Sequence, residues 1–116
     1  MTEFLIWFNV ALRGAMEMGV IAALAWWGYA AGGPGPRGWG LAVLAPAVGF
    51  GIWGAVDFRT AGAAAEWLRL AEELAISGLA AYALYRTGQT RWALALAAAS
   101  AGHHALVYAL GQRLLK

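Results

Sequence analysis

Two short stretches of the chain repeat one charged pattern inside apolar surroundings. In each stretch an arginine precedes a glutamate by four residues, giving the pairs Arg13 with Glu17 and Arg69 with Glu73. Residues four apart share one face of a helix, so each pair forms a polar stripe, and Asn9 extends the first stripe by one turn. Such a stripe can bind a small ion, carry a proton, or close into a salt bridge.

A third polar stripe lies near the C-terminus, where the same spacing joins Ser100, His104, Tyr108 and Gln112. At ~1.5 Å per residue, Glu17 and His104 lie roughly 17–20 Å from the same end of the helices, and Glu73 lies roughly 10–14 Å from it. We therefore predict that a neutral His104 hydrogen-bonds Glu17 or Tyr108.

Adjacent helical residues point about 100° apart. We therefore expect His103 and His104 to share no metal ion, and we predict no metal site and no cofactor.

Composition indicates which solvent surrounds these stripes. Of the 116 residues, 62% are hydrophobic and 12% are charged, whereas an average soluble domain has about 25% charged residues. This balance predicts a membrane protein with the lipid bilayer as its first partner.

The basic residues are scattered, which argues against nucleic acid as a partner. The absence of cysteine excludes disulfides and thiolate chemistry, and since no catalytic motif is present we predict no enzyme.

Four apolar segments must position the charges. The predicted helices span about 4–31, 39–56, 64–86 and 92–115, separated by the turn sequences GGPGPRG, DFRTAG and RTGQTR. Segments of ~20 residues can cross a bilayer core, and short connections make neighbouring helices antiparallel. We therefore predict an all-α fold: one transmembrane domain over 1–116, an up-down-up-down four-helix bundle. The repeated Arg-Glu pattern suggests two parallel hairpin repeats.

Charges inside such a bundle should face inward and pair, since each costs at least ~2.5–3.5 kcal/mol in a membrane helix. Each arginine can pair with the glutamate on its own helix. Alternatively Arg13 can cross to Glu73 and Arg69 to Glu17, which would tie the hairpins together. Two functions remain open: binding or transport of a small charged solute, or an accessory subunit whose ion network only sets helix register. Because the bundle is slim, we expect a homo-oligomer.

Three stretches carry a resemblance to a known family: NVALRGAMEMGVIAALAWWGY, LAPAVGFGIWG and EELAISGLAAYALYRTGQTRWALALAAA. They resemble the YrdB-like family of small bacterial membrane proteins of unknown function. The family pattern falls on Arg13 and Glu17, on Trp53 with Gly54, and on Glu73. The family tends to carry Asn near His103, so the paired histidines depart from it. The resemblance implies four helices in the bacterial cytoplasmic (inner) membrane, adds Trp53 to the predicted binding residues, and brings no activity.

Overall fold

The computed structural model describes residues 2–114, and all of its regular secondary structure in that range is helical. Its helices are α1 (Thr2–Gly32), α2 (Pro36–Ala55), α3 (Ala65–Arg86) and α4 (Thr90–Ala109), and a short 3₁₀ segment (Arg59–Ala64) leads into α3. The predicted all-α class with four helices is confirmed. The fourth helix ends at Ala109, before its predicted end at residue 115, which lies outside the described residues.

The turn between α1 and α2 follows from its glycines and prolines. Gly33 and Gly35 have φ angles of 78° and 97°, which glycine adopts without steric penalty. The amide of Gly33 donates to the carbonyl of Tyr29 at 3.0 Å and ends α1. The ring of Tyr29 packs edge-on against Trp39, with 5.1 Å between centroids. These contacts join α1 and α2 into an antiparallel hairpin.

Helix α1 is the central element of the bundle. It packs against α2, α3 and α4, whereas α2 makes only a small contact with α3 and none with α4 among the described residues. With 31 residues α1 is about 46 Å long, matching the longest dimension of the molecule, 46 Å. The apolar core is continuous, and its most buried members are Met16, Val20, Ala23 and Ala80.

Large apolar side chains cover the outside of the molecule. Trp7, Val43 and Leu94 are 67%, 72% and 67% exposed, whereas the charged Glu73 in the interior is 1% exposed. By length and composition, α1 and α2 could each cross a membrane; within the described residues α3 and α4 do not meet the same criterion. A carboxylate thus lies in the interior of the bundle, and large apolar side chains lie on its surface.

The connection between the two hairpins is polar and exposed. Arg59 binds the Asp57 carboxylate through two hydrogen bonds, Nε to Oδ1 and Nη2 to Oδ2, both 3.0 Å long. Hydrogen bonding to this guanidinium lowers the pKa of Asp57 from its ordinary value. Asp57 therefore already has a partner beside it in the chain.

Candidate functional site

A cluster of ionisable side chains lies where α1, α3 and α4 meet. We call it the charged cluster; its members are Arg13, Glu17, Arg69, Glu72, Glu73, His103 and His104. Glu73 is its centre. Its Oε1 accepts a hydrogen bond from Arg13 Nη1 at 2.7 Å and contacts His104 Nε2 at 2.9 Å, while its Oε2 accepts from Arg69 Nε at 2.8 Å. Short charge-assisted bonds of this kind are about twice as strong as neutral ones.

Arg13 links all three helices of the cluster. Its Nε donates to Glu17 Oε1 at 2.6 Å on its own helix, and its Nη1 donates to Glu73 on α3. The same Nη1 lies 3.3 Å from His103 Nε2 on α4. Both pairings that the sequence left open for Arg13, with Glu17 on its own helix and with Glu73 across the bundle, are therefore present.

Arg69 adopts only the own-helix alternative. Its ion pairs go to Glu72 and Glu73 on α3, at 3.1 and 2.8 Å, and the alternative bond to Glu17 is not formed. The physical reason is a competing acceptor on α2, because Arg69 Nη1 also donates to the backbone carbonyl of Trp53 at 3.3 Å. The guanidinium is thereby directed toward the end of α2 and away from α1.

Trp53 brings α2 into the site. The Cζ atoms of Arg13 and Arg69 lie 5.2 and 5.9 Å from its ring centroid, within the range of cation–π attraction. Phe50 packs on the same ring at 5.1 Å. The indole Nε1 is fully buried and has no hydrogen-bond partner among the described residues. Trp53 therefore acts on the arginines through its ring and its carbonyl.

The contacts of His104 specify its protonation. Its Nδ1 lies 2.7 Å from the Ser100 carbonyl oxygen and its Nε2 lies 2.9 Å from Glu73 Oε1. A carbonyl and an ionised carboxylate can only accept, so both ring nitrogens must donate and the ring is an imidazolium. The predicted partners Glu17 and Tyr108 are wrong. With this proton the cluster is neutral, since three cations (Arg13, Arg69, His104) face three carboxylates (Glu17, Glu72, Glu73).

His103 has the opposite state. An arginine can only donate, so His103 Nε2 accepts from Arg13, and its Nδ1 donates to Asn9 Oδ1 at 2.8 Å. This ring is therefore neutral. The expectation that the side chains of the adjacent histidines point too far apart to share an ion is wrong. Helix α4 lies between α1 and α3, so both rings are buried. Ligand atoms of Glu73, His103 and His104 lie within 4.8 Å of one another.

Such a set of two histidines and a glutamate resembles a zinc-binding arrangement. However, Arg13 Nη1 already lies against Glu73 Oε1 and His103 Nε2. The guanidinium is thus the cation that these atoms hold, and the prediction of no metal stays a prediction.

The structure brings seven of the eight predicted binding residues together. Arg13, Glu17, Trp53, Arg69, Glu73 and His104 contact one another directly or through a shared partner, and Asn9 joins through His103. The eighth, Tyr108, lies apart, because its hydroxyl donates to Glu66 at 3.2 Å and its side chain is exposed. The four-residue spacing missed His103 and Glu72, since both lie beside the selected stripes.

A cavity of about 590 Å³ reaches the charged cluster from the end of the bundle that holds both termini. We call it the polar pocket; the side chains that line it include Asn9, Arg13, His103, Gln112 and Arg113. A second cavity, of about 690 Å³, lies between α1 and α4 toward the opposite end and is lined mainly by apolar residues, with Gln89 among them. The polar pocket is therefore the one that offers charged and hydrogen-bonding groups.

Comparison with known proteins gives one match. A family model described as a protein of unknown function (DUF2568) covers residues 11–101. That range contains the arginines and glutamates of the cluster and Trp53, but neither Asn9 nor the two histidines. No curated protein and no solved structure matches the chain significantly.

Proposed function

Because the chain belongs to the DUF2568 family of proteins of unknown function, we propose a function from the geometry of its site. We propose that it is a multi-pass membrane protein that binds or transports a small charged solute. The polar pocket carries this proposal, because it extends from the end of the bundle to Arg13 and His103. We propose no enzymatic activity, and a homo-oligomer as the assembled form, since one slim bundle has little room for a pathway.

Two observations support the membrane location. The outer surface presents exposed Trp, Leu and Val side chains over α1 and α2 and also over α3 and α4, and extended apolar surfaces of this kind mark contact with a membrane or a partner protein. The interior instead holds buried ionisable groups, which in membrane helices face inward and commonly mark a functional site. The YrdB-like resemblance adds the bacterial cytoplasmic membrane as the expected location.

The test is flux from proteoliposomes loaded with octanoate or with tetraethylammonium. Glu17→Gln should reduce flux about tenfold to hundredfold, because the Glu17 carboxylate positions Arg13 and a charge-assisted bond is worth ~1.5–3 kcal/mol. Glu73→Gln should abolish flux. Asp57→Asn is the matched control, since this exposed carboxylate pairs only with the nearby Arg59. Wild-type flux that Glu17→Gln leaves unchanged would contradict the proposal.

The rival function is an accessory subunit without a substrate, and one observation favours it. Both oxygens of Glu73 are already occupied, by Arg13 and His104 on one side and by Arg69 on the other. Such a closed network can serve packing specificity alone. In that case no solute crosses the membrane. The same glutamine variants would instead lower the free energy of unfolding or lose a co-purifying partner protein.

A further inference from the structure

The polar pocket has a defined depth and two kinds of wall. Along α1 it reaches from Ile6 to Arg13, which is about 10 Å at ~1.5 Å per residue. Its polar groups lie at the inner end, in Asn9 and Arg13, and at the C-terminal side, in Arg113. Between them the walls are aliphatic, with Ile6, Val10, Val107 and Leu114. This shape fits a small molecule with a polar group and a short apolar part.

At the inner end of the pocket, Arg13 donates a hydrogen bond to His103, and His103 donates one to Asn9. Arg13 can only donate, so His103 Nε2 must accept from it, and the proton of the neutral ring then lies on Nδ1. That Nδ1 donates to Asn9 Oδ1 at 2.8 Å. The orientation of the Asn9 amide follows, because a flipped amide would place its NH₂ against the Nδ1–H donor.

These hydrogen bonds from Arg13 to His103 and from His103 to Asn9 leave the NH₂ group of Asn9 available as a donor. Its side chain is 3% exposed and lines the pocket, its oxygen is used by His103, and the described residues provide no partner for its NH₂ group. Arg113 forms no ion pair with the described residues and lines the same cavity. No Asp or Glu is among the described residues of the lining. The pocket therefore presents hydrogen-bond donors and positive charge.

We propose that the polar pocket binds the carboxylate or phosphate group of a small amphiphilic anion, held by N–H donors of Asn9, Arg13 and Arg113. This inference rests on the proposed function and names the class of its solute. The anionic group can come from a soluble molecule or from a lipid headgroup, because either source supplies oxygens that only accept. The aliphatic walls receive the apolar part in both cases.

The test measures binding by calorimetry to the full chain in phosphatidylcholine nanodiscs, with octanoate, inorganic phosphate and tetraethylammonium as probes. Asn9→Asp keeps the oxygen that accepts from His103 and replaces the donor NH₂ with an acceptor. Arg113 follows the end of α4 and is, with Arg13, one of two arginines that line the pocket. Arg113→Gln removes its charge and leaves the charged cluster intact. Loss of a charge-assisted bond predicts about tenfold to hundredfold weaker anion binding in both variants. Gln89→Glu is the matched control, since it adds a carboxylate in the other cavity.

The outcomes distinguish the proposed anion site from the proposed solute-binding function on which it rests. Octanoate or phosphate binding that weakens in both variants and survives Gln89→Glu supports a soluble anion. Phosphatidylglycerol that co-purifies with the wild type but not with Asn9→Asp, without binding of soluble anions, supports a lipid headgroup. Binding of tetraethylammonium alone, or anion binding that both variants retain, overturns the anion site and leaves a solute-binding function standing. Binding of no probe and no lipid overturns both.

Discussion

The protonated state of His104 makes a sharp prediction about stability. His104→Gln keeps a donor that can reach Glu73, but it removes the positive charge and the second bond to the Ser100 carbonyl. Removing one partner of a buried ion pair costs about 3–5 kcal/mol, whereas leaving a buried polar group without its neutral partner costs about 1–3 kcal/mol. We therefore expect His104→Gln to lower the free energy of unfolding by about 3–5 kcal/mol.

His103→Gln is the matched control for this prediction. Its ring is neutral and equally buried, and it bonds only Arg13 and Asn9, so the lower range of about 1–3 kcal/mol applies. The free energies are measured by unfolding the purified chain in mixed detergent micelles with circular dichroism as the readout.

A direct assay accompanies the stability measurement. Nitrogen-15 NMR of the histidine rings near neutral pH should show both nitrogens of His104 protonated, and only Nδ1 of His103. A neutral His104 ring, together with equal destabilisation by the two glutamine variants, would refute the assignment of the proton. It would also leave the charged cluster with one excess negative charge.

Three further predictions concern single positions. Arg13→Met removes the guanidinium from the set of two histidines and a glutamate, so Zn²⁺ should bind this variant and raise its melting temperature, whereas the wild type should show neither effect in the same titration. Gly28→Ala should lower the free energy of unfolding by about 1–3 kcal/mol, because its methyl group would clash with the Leu41 carbonyl; Gly14→Ala, which meets no neighbour, should raise it slightly by the same denaturation measurement. Trp53→Phe should lower it by about 1–3 kcal/mol, because the smaller ring leaves a cavity and weakens the cation–π contacts with Arg13 and Arg69, and an unchanged free energy of unfolding would contradict this packing.

The sequence predicted the helices well because their ends carry strong local signals. The turn around Gly33 and Gly35 needs backbone angles that glycine readily adopts, and the α1 and α3 boundaries lie within a few residues of their predicted positions. The prediction that the charged residues of the helices face inward rested on one quantity, the free energy cost of an unpaired charge in apolar surroundings. That argument required Arg13 to pair with a glutamate but left two partners open, Glu17 and Glu73, and the structure shows both.

What the sequence could not supply is the rotation of each helix about its axis. The exposure of Tyr108 and the burial of His103 depend on how α4 lies between α1 and α3, and that is decided by packing across the whole interface. The bond of Arg69 to the Trp53 carbonyl was likewise not predictable, because a backbone acceptor at the end of another helix leaves no trace in side-chain spacing.

The own-helix ion pairs have a consequence for biosynthesis in a membrane. In the proposed membrane location, Arg13 with Glu17 on α1 and Arg69 with Glu73 on α3 each place a counter-charge within one turn, so each arginine would enter lipid with its charge balanced before the neighbouring helices arrive. Helix α4 has no acidic residue of its own. Its docking would bring His104 against Glu73, which Arg13 and Arg69 already contact, so the charged cluster is complete only when the last helix arrives.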